Sequence, residues 1–165
     1  MLFHMHILIN GDIMLKKVDF KRLFVSILSV ASIVLVGMIF TKGSYSYYDE
    51  LIKPELAPKA IVFPIAWSII YIILAITLYL ICGNKKTSIF LFLNLIINVI
   101  WPILFFKLKL LLLSVYWLIL LIISLIYLLY LLFKQKKLYA YLNVPYLLWC
   151  FFALYLNIMI YLINK

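Results

Sequence analysis

The sequence predicts an all-α fold, an integral membrane bundle of five transmembrane helices. Three observations carry that reading. Apolar residues make up 69% of the 165-residue chain and charged residues only 12%, with a mean hydropathy of +1.23. A soluble domain is about half apolar and about a quarter charged, because it needs a polar shell around its core. Second, five apolar runs are each long enough to cross a hydrocarbon layer about 30 Å thick, which takes roughly 17 to 25 residues. Third, fifteen Lys and Arg stand against five Asp and Glu, and the cations cluster between the runs, where lipid headgroups favour them. Together these exclude a soluble enzyme, a disordered tail and a nucleic-acid-binding module. The partners they require are membrane lipids.

Residues 1–19 read as a short leader without structure. The stretch lacks a basic start, and Gly11 and Asp12 interrupt the apolar run a signal peptide would need. Met14 is the more natural beginning, and His4 and His6 are given no role. The domain then occupies residues 20–165. Its first span covers about 23–40, after the basic group Lys16, Lys17, Lys21 and Arg22. A polar, aromatic and proline-rich connection, 41–59, is predicted to lie on the membrane surface as an ordered lid. The second span covers about 61–81, with Pro64 in its first turn, where no amide bond is lost. A tight turn, Gly83-Asn84-Lys85-Lys86, leads to the third span at about 88–106. The fourth covers about 110–133 and the fifth about 139–163. Each must be helical, since a backbone amide in hydrocarbon has no partner outside its own segment. Pro102 and Pro145 are expected to kink helices or free carbonyls.

Five spans put the termini on opposite sides. Nine cations fall on the N-terminal side (Lys16, Lys17, Lys21, Arg22, Lys85, Lys86, Lys134, Lys136, Lys137) and six on the other (Lys42, Lys53, Lys59, Lys107, Lys109, Lys165). The positive-inside rule places the N-terminus in the cytoplasm of, we expect, a bacterial cell membrane, with the lid facing outward. The acids are Asp12, Asp19, Asp49, Glu50 and Glu55, none within a span, and no acid, His or Arg follows Glu55. A proton-coupled pump needs titratable groups at membrane depth. Metal ligation and Ser-His or Cys-His catalysis fail for want of residues, so no metal, cofactor or catalytic residue is predicted. Cys82 and Cys150 read as small hydrophobes.

What remains is where polar and indole side chains point. Trp67 and Tyr71 share a face of the second span; Asn94, Asn98 and Trp101 form a stripe on the third; Trp149, Ala153 and Asn157 repeat the pattern on the fifth. A carboxamide facing lipid would lack partners, so these faces turn into the bundle. Such stripes serve either as glue between helices or as the wall of a ligand pocket, and spacing alone leaves both open. Trp117, near the start of the fourth span, reads as a residue of the interfacial belt.

The motifs themselves resemble a known family, that of TspO and the translocator protein, also called the peripheral-type benzodiazepine receptor family. Tyr48-Asp-Glu-Leu-Ile-Lys-Pro54 is similar to its WYxxLxKP loop, and Phe63-Pro-Ile-Ala-Trp-Ser-Ile-Ile-Tyr71 to its FxPxWxxxY helix. Asn98-Val-Ile-Trp-Pro-Ile-Leu-Phe-Phe106 matches NxxWxxxFF. Val144-Pro-Tyr-Leu-Leu-Trp149, followed by Asn157, matches PYLxW…LN. The family's loop Trp is Tyr47 here, and the animal cholesterol motif's Tyr and Arg are replaced by Ile158 and Leu162. The resemblance implies a homodimer of five-helix bundles, each with a pocket closed by the first loop, binding porphyrins such as protoporphyrin IX and other flat lipophilic ligands in a sensory or ligand-handling role. It implies a lining of Tyr48, Pro58, Trp67, Tyr71, Asn98, Trp101, Trp149, Ala153 and Asn157. Two other activities follow from the same resemblance: light-dependent porphyrin degradation, with Trp67 and Trp149 exchanging an electron with the ligand, and passive transport of tetrapyrroles or sterols.

Overall fold

The structure, a computed structural model, describes residues 7–9, 12–14, 19–44 and 46–165. Five helical segments are long and apolar enough to cross a membrane: Phe20–Thr41, Val62–Ile81, Lys85–Lys107, Leu111–Gln135 and Lys137–Ile163. The protein is an integral, multi-pass membrane protein. Its first helix, α1 (Phe20–Thr41), starts where Asp19 accepts a hydrogen bond from the Arg22 amide at 3.1 Å. A short α2 (Ser46–Glu50) lies in the first connection, and α3 (Val62–Ile81) follows with Pro64 in its first turn. Asn84 caps α4 (Lys85–Pro102) by accepting from the Thr87 amide at 3.0 Å. The remaining helices are α5 (Leu111–Gln135), α6 (Lys137–Leu142) and α7 (Val144–Ile163).

Two departures from the sequence expectation have local causes. At Pro102 the third span passes from α-helix into a π-helical turn, Ile103–Lys107. Proline cannot donate to the ladder, and a wider turn lets the chain continue past it. Lys109 then adopts a left-handed conformation, φ 55°, that turns the chain into α5. The fifth span is not continuous: α6 ends at Leu142 and α7 restarts with Pro145 in its first turn. The break is bridged by Asn143, whose Nδ2 donates to Thr77 Oγ1 and to the Tyr139 carbonyl, both at 2.8 Å. Within the predicted leader, Ile7–Ile9 and Asp12–Met14 pair as a two-stranded antiparallel ribbon. His4 and His6 lie outside the described residues.

Lipid tails are as apolar as leucine, so these helices associate through packing and hydrogen bonds and not through flight from water. Helix α5 packs on α4 and α7, while α1 packs on α3 and α4. The outer faces carry exposed Phe24, Ile39, Ile72 and Ile123, as a lipid-facing surface should. Serines on α1 keep their hydroxyls satisfied within the helix, Ser29 donating to the Val25 carbonyl at 2.8 Å and Ser32 to Leu28 at 2.7 Å. Helix α1 is the loosest member. Only Ser26, Val30, Gly37 and Thr41 are buried along its 22 residues. At Gly37 it comes so near α4 that a Cβ would overlap Val99 Cγ1. That glycine lets α1 close against the site.

Candidate functional site

The site is built around Trp67 on α3. Its ring stacks on Tyr71 one turn further on, with centroids 5.9 Å apart and planes 23° apart. From α4, Trp101 approaches to 6.0 Å; from α7, Tyr146 comes to 6.2 Å and Trp149 to 6.4 Å, the last two edge-on. The three indoles that the sequence placed on separate stripes thus meet at one point. The aromatic wall continues through Phe63, which touches Trp149 at 6.1 Å and Phe106 at 6.5 Å. The edge-on and offset arrangements are those the ring quadrupoles favour. Beside this cluster, between α1, α3 and α4, lies a cleft of about 120 Å³ lined by Val34, Gly37, Met38, Thr41, Phe63, Trp67, Ser68, Tyr71, Asn98, Trp101 and Phe106, among others.

Of the predicted lining, Trp67, Tyr71, Asn98 and Trp101 border that cleft. Trp149 stands behind Trp67, with its indole nitrogen buried and lacking a hydrogen-bond partner. Ala153 and Asn157 are buried but do not line the cleft. Asn157 acts as interhelical glue: its Oδ1 accepts from Trp101 Nε1 at 3.3 Å and from Ser114 Oγ at 2.8 Å, joining α7, α4 and α5. The carboxamides bind helices together, and the rings surround the cleft.

A second polar chain runs across the bundle. Tyr71 Oη donates to Asn98 Oδ1 at 3.0 Å, Asn98 Nδ2 donates to Tyr146 Oη at 3.0 Å, and Tyr146 donates to Asn94 Oδ1 at 3.0 Å. Asn94 Nδ2 donates to Ser124 Oγ at 2.8 Å, and Ser124 donates to the Leu121 carbonyl at 2.8 Å. The sequence reading singled out the asparagines and missed Ser114, Ser124 and the fully buried Tyr146. The serines carried a signal, as the two hydroxyl-bearing aliphatic positions in an apolar and aromatic run. Trp117 Nε1 donates to the Ile97 carbonyl at 2.7 Å, tying α5 to α4.

Within the connection between α1 and α3, Tyr47 and Tyr48 reach the cluster's rings. Tyr48 is 2% exposed, its ring edge-on to Phe63 at 5.1 Å and its hydroxyl donating to the Pro58 carbonyl at 3.1 Å. Burial first, and the neighbouring Asp49 second, hold its phenol above the ordinary value of 10.0. It therefore stays protonated and keeps donating at neutral pH. Lys53 Nζ lies 4.9 Å from the same ring and donates to the Tyr48 carbonyl at 2.8 Å. The left-handed turn at Lys109 brings its ammonium 4.5 Å from the ring of Tyr47.

The lid is also latched to the far end of the chain. Asn164, just past α7, accepts from the Ile52 amide at 3.0 Å and donates to the Ile52 carbonyl at 2.8 Å, reproducing with one side chain the pairing of a neighbouring strand. Replacing Asn164 by Ala removes both bonds. At about 1 kcal/mol each, hydrogen exchange at Ile52 in detergent should quicken roughly ten- to thirtyfold. Asn164→Asp keeps the acceptor alone and should fall between. Unchanged exchange in Asn164→Ala would mean the latch does not hold the lid.

With this geometry in view, comparison with known proteins is decisive. The profile of the TspO/MBR family matches residues 24–162. The chain belongs to the TspO/MBR family. It is 34% identical over 149 residues to the tryptophan-rich protein TspO of Archaeoglobus fulgidus, covering 87% of this chain and 97% of that one. It is 33% identical over 124 residues to the tryptophan-rich protein TspO of Bacillus cereus, 72% of this chain and 81% of that one. The protein CrtK of Rhodobacter capsulatus is 30% identical over 135 residues, 78% and 83% of the two chains. The matched region contains every residue that lines the cleft.

Proposed function

We propose that this TspO/MBR-family protein binds a flat, largely apolar ligand of the porphyrin type, protoporphyrin IX foremost, at the aromatic cluster beneath the lid, and acts as a sensor or handler of it. The observation that carries the reading is the meeting of Trp67, Trp101 and Trp149, from three spans, beside a cleft. Packing three indoles together offers stacking surface for a planar ring system and little selectivity for anything else. The unsatisfied Trp149 Nε1 gives a donor that a ligand acceptor would engage.

Size adds a condition. A site for a drug-sized ligand is typically about 300–1,000 Å³, against about 120 Å³ here. On this reading a macrocycle needs the lid or α1 to move. Helix α1 has only four of its 22 residues buried. We further infer that the N-terminus is cytoplasmic and the lid faces outward, on the nine-to-six distribution of cations between the two sides.

Titration of the purified protein in detergent with protoporphyrin IX tests the reading. Tryptophan emission should be quenched saturably, at one ligand per chain, and Trp117→Phe should leave affinity unchanged. Quenching that rises without saturation, as for porphyrin dissolving in empty micelles, would overturn it.

A further inference from the structure

At the lid end of the bundle, apart from the aromatic cluster, the outer surface carries a second hollow. Where α5 starts and α7 ends, an open groove of about 510 Å³ is walled by Lys109, Leu112, Tyr116, Tyr161, Asn164 and Lys165, among others. Its chemistry is graded along the bundle axis. Lys109 and Lys165 stand at the helix ends, at the level of the headgroups, and the two tyrosines lie about one turn deeper. Tyrosine suits that depth, with an apolar ring and a hydroxyl that can reach the wet layer. The charge in the groove has one sign. No acid follows Glu55 in the sequence, so neither α5 nor α7 brings a carboxylate here. The acids at this end, Asp49, Glu50 and Glu55, belong to the lid and do not line the groove among the described residues. Two cations above a wall of leucine and tyrosine complement a phospholipid, phosphate at the top and acyl chain along the helices.

Two contacts to the lid also start from this groove. Lys109 holds its ammonium 4.5 Å from the ring of Tyr47, and Asn164 engages both backbone groups of Ile52. We propose that the groove is a binding site for an anionic phospholipid, its phosphate between Lys109 and Lys165 and one acyl chain along Leu112, Tyr116 and Tyr161, and that the bound lipid steadies the lid through Lys109 and Asn164. A zwitterionic lipid gives the lysines less, because its own cation offsets the phosphate. A sterol brings no phosphate, and a free phosphate ion leaves the leucine and tyrosine wall uncovered. The groove shares no lining residue with the cleft beside Trp67, so the lipid site and the porphyrin site stand or fall separately.

Native mass spectrometry of the detergent-solubilised protein, offered equal amounts of phosphatidylglycerol and phosphatidylcholine, tests the site. The wild type should retain phosphatidylglycerol over phosphatidylcholine by roughly five- to thirtyfold, the range for one to two lysines at an anionic surface. Lys109→Gln combined with Lys165→Gln should bring the ratio near one. Lys165→Gln alone should fall between, which maintains the test if a substitution at the left-handed position of Lys109 does not fold. Lys85→Gln with Lys86→Gln, at the opposite end of the bundle, should keep the wild-type ratio. In nanodiscs, hydrogen exchange at Ile52 should be severalfold slower with phosphatidylglycerol than in phosphatidylcholine alone, and indifferent to it in the Lys109/Lys165 variant. Equal retention of the two lipids by the wild type would overturn the proposal. So would a ratio lost equally in the Lys85/Lys86 pair, the mark of unspecific charge. Inorganic phosphate that slows Ile52 to the same extent in phosphatidylcholine discs would give the lysines to a free anion and overturn the lipid assignment. Retention without slowing would detach the groove from the lid and overturn that half of the proposal.

Discussion

Replacing Trp67 and Trp149 together by leucine should lower protoporphyrin affinity by roughly thirty- to a hundredfold, about 2–3 kcal/mol. Leucine retains part of the apolar volume but none of the planar surface, so what is lost is ring stacking, together with the donor of Trp149. Each aromatic contact is worth about 0.5–1.5 kcal/mol beyond buried area. The two rings are neighbours at 6.4 Å, so the single substitutions should not sum to the double. Because the substitutions remove part of the emission signal, affinity is read from the porphyrin's own absorbance, with helicity checked by circular dichroism. Trp67 touches four other rings, and its loss should loosen the cluster as well as weaken stacking. Trp149 has its ring on Phe63, Trp67 and Phe152 and its nitrogen unengaged, so Trp149→Leu should affect affinity more than stability. A double variant that binds as tightly as wild type would place the ligand elsewhere.

Why the spans were legible and the partners were not is a matter of what each level of structure depends on. A helix in hydrocarbon is dictated by composition alone, and Gly83-Asn84 and the lysine clusters mark its ends, so the five segments fall within a few residues of those predicted. The interruption at Asn143 was hidden because the apolar pattern runs through it, and Pro145 fits a helix start or a kink equally well. Stripes at i, i+4 and i+7 revealed which faces turn inward. They could not reveal which residue each side chain would meet, because that is set by the rotation of one helix against another. Asn157 and Asn98 belong to similar stripes, yet one joins helices away from the cleft and the other borders it. Tyr146 stood inside the Val144-Pro-Tyr-Leu-Leu-Trp149 motif, yet nothing in the sequence set its hydroxyl apart from those of the other twelve tyrosines. The latch at Asn164 joins residues 112 apart, a distance no local pattern spans.

Asn98 offers a test in which the sign of the effect is as informative as its size. Were its side chain directed at lipid, Asn98→Leu would stabilise the protein, since an amide in hydrocarbon is unfavourable and leucine is not. In the structure Asn98 is 1% exposed and joins α3 to α7, accepting from Tyr71 and donating to Tyr146. Leucine is nearly the same size, so the substitution removes two hydrogen bonds without opening much of a cavity. Tyr146 keeps its bond to Asn94. Polar contacts between membrane helices average about 0.6 kcal/mol and reach about 1.7, because the separated helices find other partners in the bilayer. Two such bonds come to about 1–3 kcal/mol, which for a chain of this length lowers the midpoint of thermal unfolding in detergent by roughly 3–10 °C. Adding Tyr71→Phe to Asn98→Leu should then cost less than Tyr71→Phe costs in the wild type, because the bond between the two side chains is already gone. Losses that simply add would mean that the Tyr71–Asn98 bond does not hold α3 against α4 at the cleft wall.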